Sequence, residues 1–350
     1  MHPDLPLCYD LLPRVSRTFA LNIRILPGEL RPAVTVAYLL FRYADTIEDA
    51  PCLAPEHRTE LFEAFLDRLD GGRPLVLPHL PSVHLREAVP AAEGDLLARG
   101  EQIFAVFESL PDRVREIIAS HVAETARGME RVCREHTRRG LLALETWKDL
   151  EEYCYYVAGT IGIMLTRLFA AHSRHIDAAT GRRLTALGTS FGRGLQLTNI
   201  LKGMASDRRE GRVYLPAEAL RRHGTSPEAL LAPDHRTALL AVVDEVLPRA
   251  LQDLEDALRY TILLPRREPR LRLFCLWPLF TAVRTLAVVA RGKGLDDAGK
   301  SARVTRPVLY REMALSTAHV FSNGRLRKRF ERFRRELFPA RPRREVWAGP

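Results

Sequence analysis

Apolar residues return every three or four positions along most of this chain, and the strict alternation of half-buried strands is scarce. The stretch PGELRPAVTVAYLLFRYADTIEDA reads as one long helix ending near Pro51. PEHRTELFEAFLDRLDGG predicts a second helix that stops at Gly71-Gly72. Residues 73–95 are proline-rich and read as irregular, with room for some helix. PDRVREIIASHVAETARGMERVCREH has Pro111 at its first turn and an apolar stripe behind it. TWKDLEEYCYYVAGTIGIMLTRLFAAH opens on Thr146 as N-cap, with Asp149 three residues on, a weaker form of the capping box. Residues 177–206 give the next helix and SPEAL begins a short one. Residues 236–262, 266–290 and 308–337 supply the rest. No repeat and no linker interrupts the series, so the pattern predicts an all-α fold. It divides into one domain over residues 1–320 and a basic C-terminal helix and tail over 321–350.

Composition adds limits. At 46% hydrophobic and 27% charged, the chain has ample material for a core. The five cysteines are scattered, without a CxxC pair or a Cys/His cluster, which supports neither a disulfide framework nor a zinc site. A reducing, cytoplasmic setting fits best. The N-terminus MHPDLPLCYDLL lacks the basic and apolar regions of a signal peptide. FCLWPLFTAVRTLAVVA comes closest to a membrane span, but Pro278 and Arg284 interrupt it, so it is expected to be a core helix.

The net charge of +10 is concentrated in RLRKRFERFRRELFPARPRR, residues 325–344. This segment reads either as a solvated terminal helix or as a basic amphipathic surface that touches anionic headgroups at the inner face of a membrane. No accompanying motif points to nucleic acid.

Two polar stretches carry candidate chemistry. In YLLFRYADTIED, helical geometry places Tyr38, Arg42, Asp45 and Asp49 within roughly 60° of one another. Glu48 lies on the flank. Carboxylates four residues apart repel on a bare helix, and a divalent cation such as Mg²⁺ would offset that repulsion. Arg42 could then hold a phosphate. A solvent-facing helix end is the other reading, and the residues alone leave both open.

In GLQLTNILKGMASDRREGRVYLP, Gln196, Asn199, Gly203 and Asp207 share a face, with Lys202 and Arg212 nearby. Their apolar neighbours Leu195, Leu197, Ile200 and Leu201 suggest a polar stripe inside a cavity, or a buried hydrogen-bond network without a ligand. A third stretch, YCYYVAGTIGIMLTRLF, brings Ala158, Gly159 and Gly162 together, with Tyr153 and Tyr156 beside them. Glycine costs about 1 kcal/mol relative to alanine inside a helix. These small residues allow close approach of an apolar ligand or, more commonly, of another helix. Taken together, the three stretches describe a cleft for a molecule with a diphosphate head and a greasy tail.

On SRTFAL at 16–21, YLLFRYADTIED at 38–49, YCYYVAGTIGIMLTRLF at 153–169 and LQLTNIL…D…GRVYLP at 195–216, the chain resembles the squalene/phytoene synthase family. DTIED, YVAGTIGIMLTRLF and FCLWPLFTAVRTLA look more like the squalene branch. The resemblance runs in order over roughly residues 10–310. It implies an isoprenoid-synthase helical bundle with a central apolar cavity. It also implies head-to-head condensation of two farnesyl diphosphates through presqualene diphosphate to squalene, with Mg²⁺ for the diphosphates and NADPH as reductant.

Carried over by position, Asp45, Glu48 and Asp49 would form the first Mg²⁺ site and Asp207 would belong to the second. Ser16, Arg17, Arg42 and Lys202 would contact diphosphate. Phe19, Tyr38, Gln196, Asn199 and Arg212 would line the site, and Tyr153 would act at the reacting centre as base or as a shield for cationic carbon.

The chain departs from the family pattern at Gly203, where the second motif normally carries its first carboxylate. Glu210, three residues after Asp207, could offer an oxygen instead. Gly128-Met129 leads to Glu130 rather than the usual Asp. No dinucleotide motif is legible, although Lys300, Arg303 and Arg306 could meet a 2′-phosphate. These departures leave two further readings: an enzyme that performs part of the cycle or uses another acceptor, and an inactive prenyl-diphosphate binder.

Overall fold

Thr146 shows how local chemistry starts these helices. Its hydroxyl accepts a hydrogen bond from the Asp149 amide at 3.2 Å, and Asp149 accepts one from the Thr146 amide at 2.8 Å. The capping box is therefore complete with Asp in place of Glu. Ser16, Asp177 and Ser322 cap three other helices through their side chains in the same way.

The computed structural model describes residues 2–50, 53–75, 89–138, 140–292, 302 and 304–338. It is all-α with one minor sheet. In chain order the helices are α1 (Leu5–Val15), α2 (Arg17–Arg24), α3 (Leu30–Asp49), α4 (Pro55–Leu69), α5 (Ala91–Ala98), α6 (Gly100–Glu108) and α7 (Asp112–His136). Then come α8 (Trp147–Cys154), α9 (Thr160–His172), α10 (Ala178–Arg209), α11 (Ala217–Arg222), α12 (Arg236–Leu263), α13 (Pro269–Val289), α14 (Arg306–His319) and α15 (Asn323–Leu337). A π-helical turn, Tyr155–Gly159, joins α8 to α9. One apolar core, from Leu5 to Phe333, runs through the bundle.

Helix α10 lies at the centre, against α9 and α12. The approach to α9 and to the π-helical turn before it is very close. A Cβ on Gly192 would lie 1.9 Å from the Ala158 carbonyl oxygen, and one on Gly162 would lie 1.9 Å from that of Gly188. Glycine is required at both positions because backbone meets backbone. The common explanation for the small residues, helix packing, holds, and the packed pair also walls the cavity described below.

The sheet fixes the end of the second polar stretch. Strands β1 (Thr137–Arg138) and β2 (Leu141–Ala143) pair antiparallel, and β2 pairs parallel with β3 (Arg212–Val213). Gly211, at φ +79°, ends the α10 turn in the left-handed region, and a Cβ there would lie 3.0 Å from the Gly140 carbonyl oxygen. The Leu142 and Leu144 amides then donate to Gly211 and Val213 carbonyls.

Two expectations need correction. The helix read over 308–337 breaks at residues 320–322, because Ser322-Asn323-Gly324 is a turn-and-cap signal. SPEAL forms a turn, and the short helix is α11, just before it. The stretch 73–95, read as irregular with room for some helix, does contain the start of α5, and residues 76–88 lie outside those described.

The basic C-terminal helix does not hang free. Leu326, Phe330 and Phe333 are buried, and the guanidinium of Arg329 sits 3.7 Å above the Phe280 ring. Glu312, 1% exposed, binds both Arg284 and Arg329 and ties α13, α14 and α15 together. Residues 339–350 lie outside those described.

By length and composition, Trp147–His172 and Pro269–Val289 could each cross a membrane. The second is mostly buried, as expected of a core helix. The half-buried side chains Val157, Ile161 and Leu165 of the first line a cavity within the bundle. Both are helices of this fold.

Candidate functional site

The C-terminal half of α3 presents three carboxylates, each in a different environment. Asp45 accepts a short ion pair from Arg42 Nη1. Asp49 meets Arg212 Nη1 at 3.2 Å. The repulsion between these two acids is thus offset by arginines from α3 itself and from β3. Glu48 is 4% exposed, and its Oε1 has no hydrogen-bond partner. Burial, then the charges of Asp49 and Asp45, pushes Glu48 well above the usual carboxylate range. Burial, then Asp45, raises Asp49 to about 7.

Across the cleft, α10 contributes Gln196, Asn199, Lys202, Gly203 and Asp207. Lys202 Nζ donates to Asn199 Oδ1 at 3.1 Å. Burial raises Asp207 to about 7, against the opposing charge of Arg212. Glu210 is bound to Arg212 and half exposed, so its carboxylate is engaged on the strand side. The sheet register places Tyr214 over Tyr153, the rings stacked at 4.5 Å between centroids. Both phenols are buried and titrate well above their usual range, first through desolvation and then through the charge of Glu48.

Most of these groups border two chambers that share a wall; Glu48 and Glu210 line neither. The polar chamber, about 1060 Å³ including its mouth, is lined by Asp45, Asp49, Tyr153, Asp207, Arg212 and Tyr214, among others. The apolar chamber, about 1100 Å³ including its mouth, runs from Phe19 and Tyr38 past Val157, Ile161 and Leu165 to Phe274. Arg42, Asp45, Gln196 and Asn199 line both. A charged chamber therefore adjoins an apolar one across a wall of four polar side chains.

The structure gathers most of the residues named from sequence at these chambers. It does not gather all. Arg17 is exposed and lines a separate groove between α1, α2 and α3. Ser16 caps α2 through the Phe19 amide and bonds Tyr38, so it acts on the wall rather than in the cavity. Tyr156 covers Gly128 instead of facing the chambers. Sequence reasoning passed over Tyr214, whose only signal was its place in GRVYLP, and the far end of the apolar chamber, where Phe191, Tyr260 and Phe274 gave only ordinary core spacing.

This combination of paired carboxylates, a second polar helix and an adjoining apolar chamber sits on residues 12–307, which match the squalene/phytoene synthase family. The chain belongs to that family. Squalene synthase of Eremothecium gossypii is 30% identical over 298 residues, 82% of this chain and 62% of that protein. Squalene synthase 1 of Arabidopsis thaliana is 29% identical over 291 residues, 82% of this chain and 65% of that one. This squalene/phytoene synthase family member therefore spans under two thirds of the length of these curated relatives. The solved complex of TcSQS with the ligand BPH1237 has the same fold, with a TM-score of 0.81 at 23% identity over 99% of this chain and 94% of that one. A dehydrosqualene synthase complex gives 0.62 at 22% identity over 91% and 97%.

Among the described residues, no three acidic, imidazole or thiolate groups converge tightly enough to encage a metal ion. Magnesium needs no such cage, because it keeps water and takes oxygen ligands from substrate phosphate. The unpartnered Glu48 oxygen and the raised Asp49 and Asp207 carboxyls are a donor set that fits a hard cation. For NADPH, Lys300 and Arg303 lie outside the described residues and Arg306 opens α14. No glycine-rich strand-to-helix turn appears among the described residues.

Proposed function

We propose that this protein condenses two prenyl diphosphates head to head, with farnesyl diphosphate as substrate and presqualene diphosphate, then squalene or a similar C30 product, as outcome. The observation that carries the reading is the shared wall. Arg42, Asp45, Gln196 and Asn199 face a charged chamber and an apolar one at once, which suits a substrate with a diphosphate at one end and a long hydrocarbon at the other.

Asp45, Glu48, Asp49 and Asp207 are the residues that would hold Mg²⁺, which when bound neutralises charge on the departing diphosphate. Arg42, Lys202 and Arg212 add fixed positive charge around the same chamber. Phe19, Tyr38, Ile161 and Leu165 exclude water from the hydrocarbon and from cationic carbon. The raised phenols of Tyr153 and Tyr214 are protonated at neutral pH, which favours a role for their rings over phenolate base chemistry. Exposed Arg325, Arg327 and Arg332 support electrostatic contact with anionic headgroups, while the apolar face of α15 is used inside the core.

A second reading has its own observation. Only one carboxylate, Asp207, reaches the polar chamber from α10, so the cycle could stop at presqualene diphosphate or at a single ionised prenyl group. Purified protein with farnesyl diphosphate and Mg²⁺, with and without NADPH, separates the two by mass spectrometry. Squalene formed only with NADPH supports the full cycle. Presqualene alcohol after dephosphorylation under both conditions supports the partial one. Retained binding without turnover would make the protein a binder and overturn both.

A further inference from the structure

Glu93 lies in the first turn of α5, in a stretch without any motif. Its Oε1 accepts a hydrogen bond from Arg42 Nη2 at 2.7 Å, and its side chain is 13% exposed. Arg42 Nη1 donates to Asp45. One guanidinium is therefore held between carboxylates of two helices, at the wall shared by both chambers. Helix α5 is itself fastened: Asp95, two residues on, accepts a hydrogen bond from Arg14 of α1 at 2.5 Å.

Asp45 has two claims on its oxygens. If it turns toward a cation, Arg42 loses that partner and its flexible stem is free to follow or to swing away. Glu93 is the partner that remains. We propose that Glu93 is a positioning residue, holding the Arg42 guanidinium at the junction of the two chambers so that it meets an incoming diphosphate. This rests on reading the cleft as a prenyl-diphosphate site. Glu93 lines neither chamber and acts through Arg42. The contact needs a carboxylate of this length. A hydrogen bond between a guanidinium and a carboxylate is charge-assisted, and aspartate falls short by one C–C bond of about 1.5 Å.

The test is calorimetry of inorganic diphosphate, in the presence of Mg²⁺, with the full chain and its Glu93→Ala, Glu93→Asp, Arg42→Ala and double Glu93→Ala/Arg42→Ala variants. Glu93→Ala is expected to weaken binding about tenfold, the scale of a lost charge-assisted contact, and Glu93→Asp nearly as much. In the Arg42→Ala background the same change should add less than about twofold, because two residues that act as a unit are not additive. A merely structural role for Glu93 would weaken both backgrounds alike, so additive losses overturn the proposal, as does unchanged affinity in Glu93→Ala. The expected cycle in a protein that never turns over farnesyl diphosphate supports Glu93 and overturns the proposed reaction. Turnover with additive losses does the reverse.

Discussion

The Asp207 carboxylate stands 3.0 Å from where a Cβ on Gly203 would lie, one helical turn earlier on α10. The missing carboxylate of the second motif is thus absent from a position that points at Asp207 and at the polar chamber. Gly203→Asp should raise Mg²⁺ affinity about tenfold in the presence of inorganic diphosphate, because each added carboxylate ligand strengthens a hard-cation site. Calorimetry reads it. Weaker binding would mean that Asp207 cannot yield the few tenths of an ångström that the new side chain needs.

Stability should depend on pH in a direction set by Asp49 and Asp207. Each is raised from 3.8 to about 7 in the folded state. Between those values the folded chain binds more protons than the unfolded one, so stability falls as pH rises through that window. Tm measured in metal-free buffer should decline from pH 5 to pH 8, and Asp207→Asn should flatten part of that decline. Parallel Tm curves for the variant and the parent would contradict the shift at Asp207.

The contact of α10 with the π-helical turn ahead of α9 should be intolerant of a single methyl group. Gly192→Ala puts Cβ against the Ala158 carbonyl and should cost about 1–3 kcal/mol or more, the range of overpacked cores. Gly181→Ala, on the same helix with open space around it, should stabilise by about 0.5–1 kcal/mol through helix propensity. Denaturant midpoints of the two variants should move in opposite directions. Equal shifts would remove close packing as the reason for glycine at 192.

Glu312 should be the anchor of the C-terminal hairpin. Glu312→Ala leaves Arg284 and Arg329 facing each other without their shared carboxylate, and breaking such a buried pair costs about 3–5 kcal/mol. Urea unfolding gives the value. A loss below about 1 kcal/mol, as for an exposed pair, would show that the cluster is solvated.

Much of this was legible in the chain itself, for physical reasons. The long helices announced themselves through apolar period and caps, as with Thr146 and Asp149. Asp45, Asp49, Gln196, Asn199 and Asp207 were legible because a polar residue on an otherwise apolar helix face is costly unless it is used. Other features depend on pairing across space. The pairing of Asp49 with Arg212, the stacking of Tyr214 on Tyr153 and the reach of Glu93 to Arg42 join residues far apart in sequence. The π-helical turn at Tyr155–Gly159 leaves no mark in apolar spacing. The break before α15 was visible in Ser322-Asn323-Gly324, but the helical period on either side of it ran on.

The central claim is that one active site joins two prenyl diphosphates, and isotope mixing tests it most directly. The protein is given Mg²⁺, NADPH and equal amounts of unlabelled and fully ¹³C-labelled farnesyl diphosphate, and the products are read by mass spectrometry. The account predicts a C30 product in three mass classes, with the half-labelled class the most abundant, and loss of that product in Asp45→Ala. Farnesol or another single-farnesyl product, with no half-labelled C30 species, would contradict it.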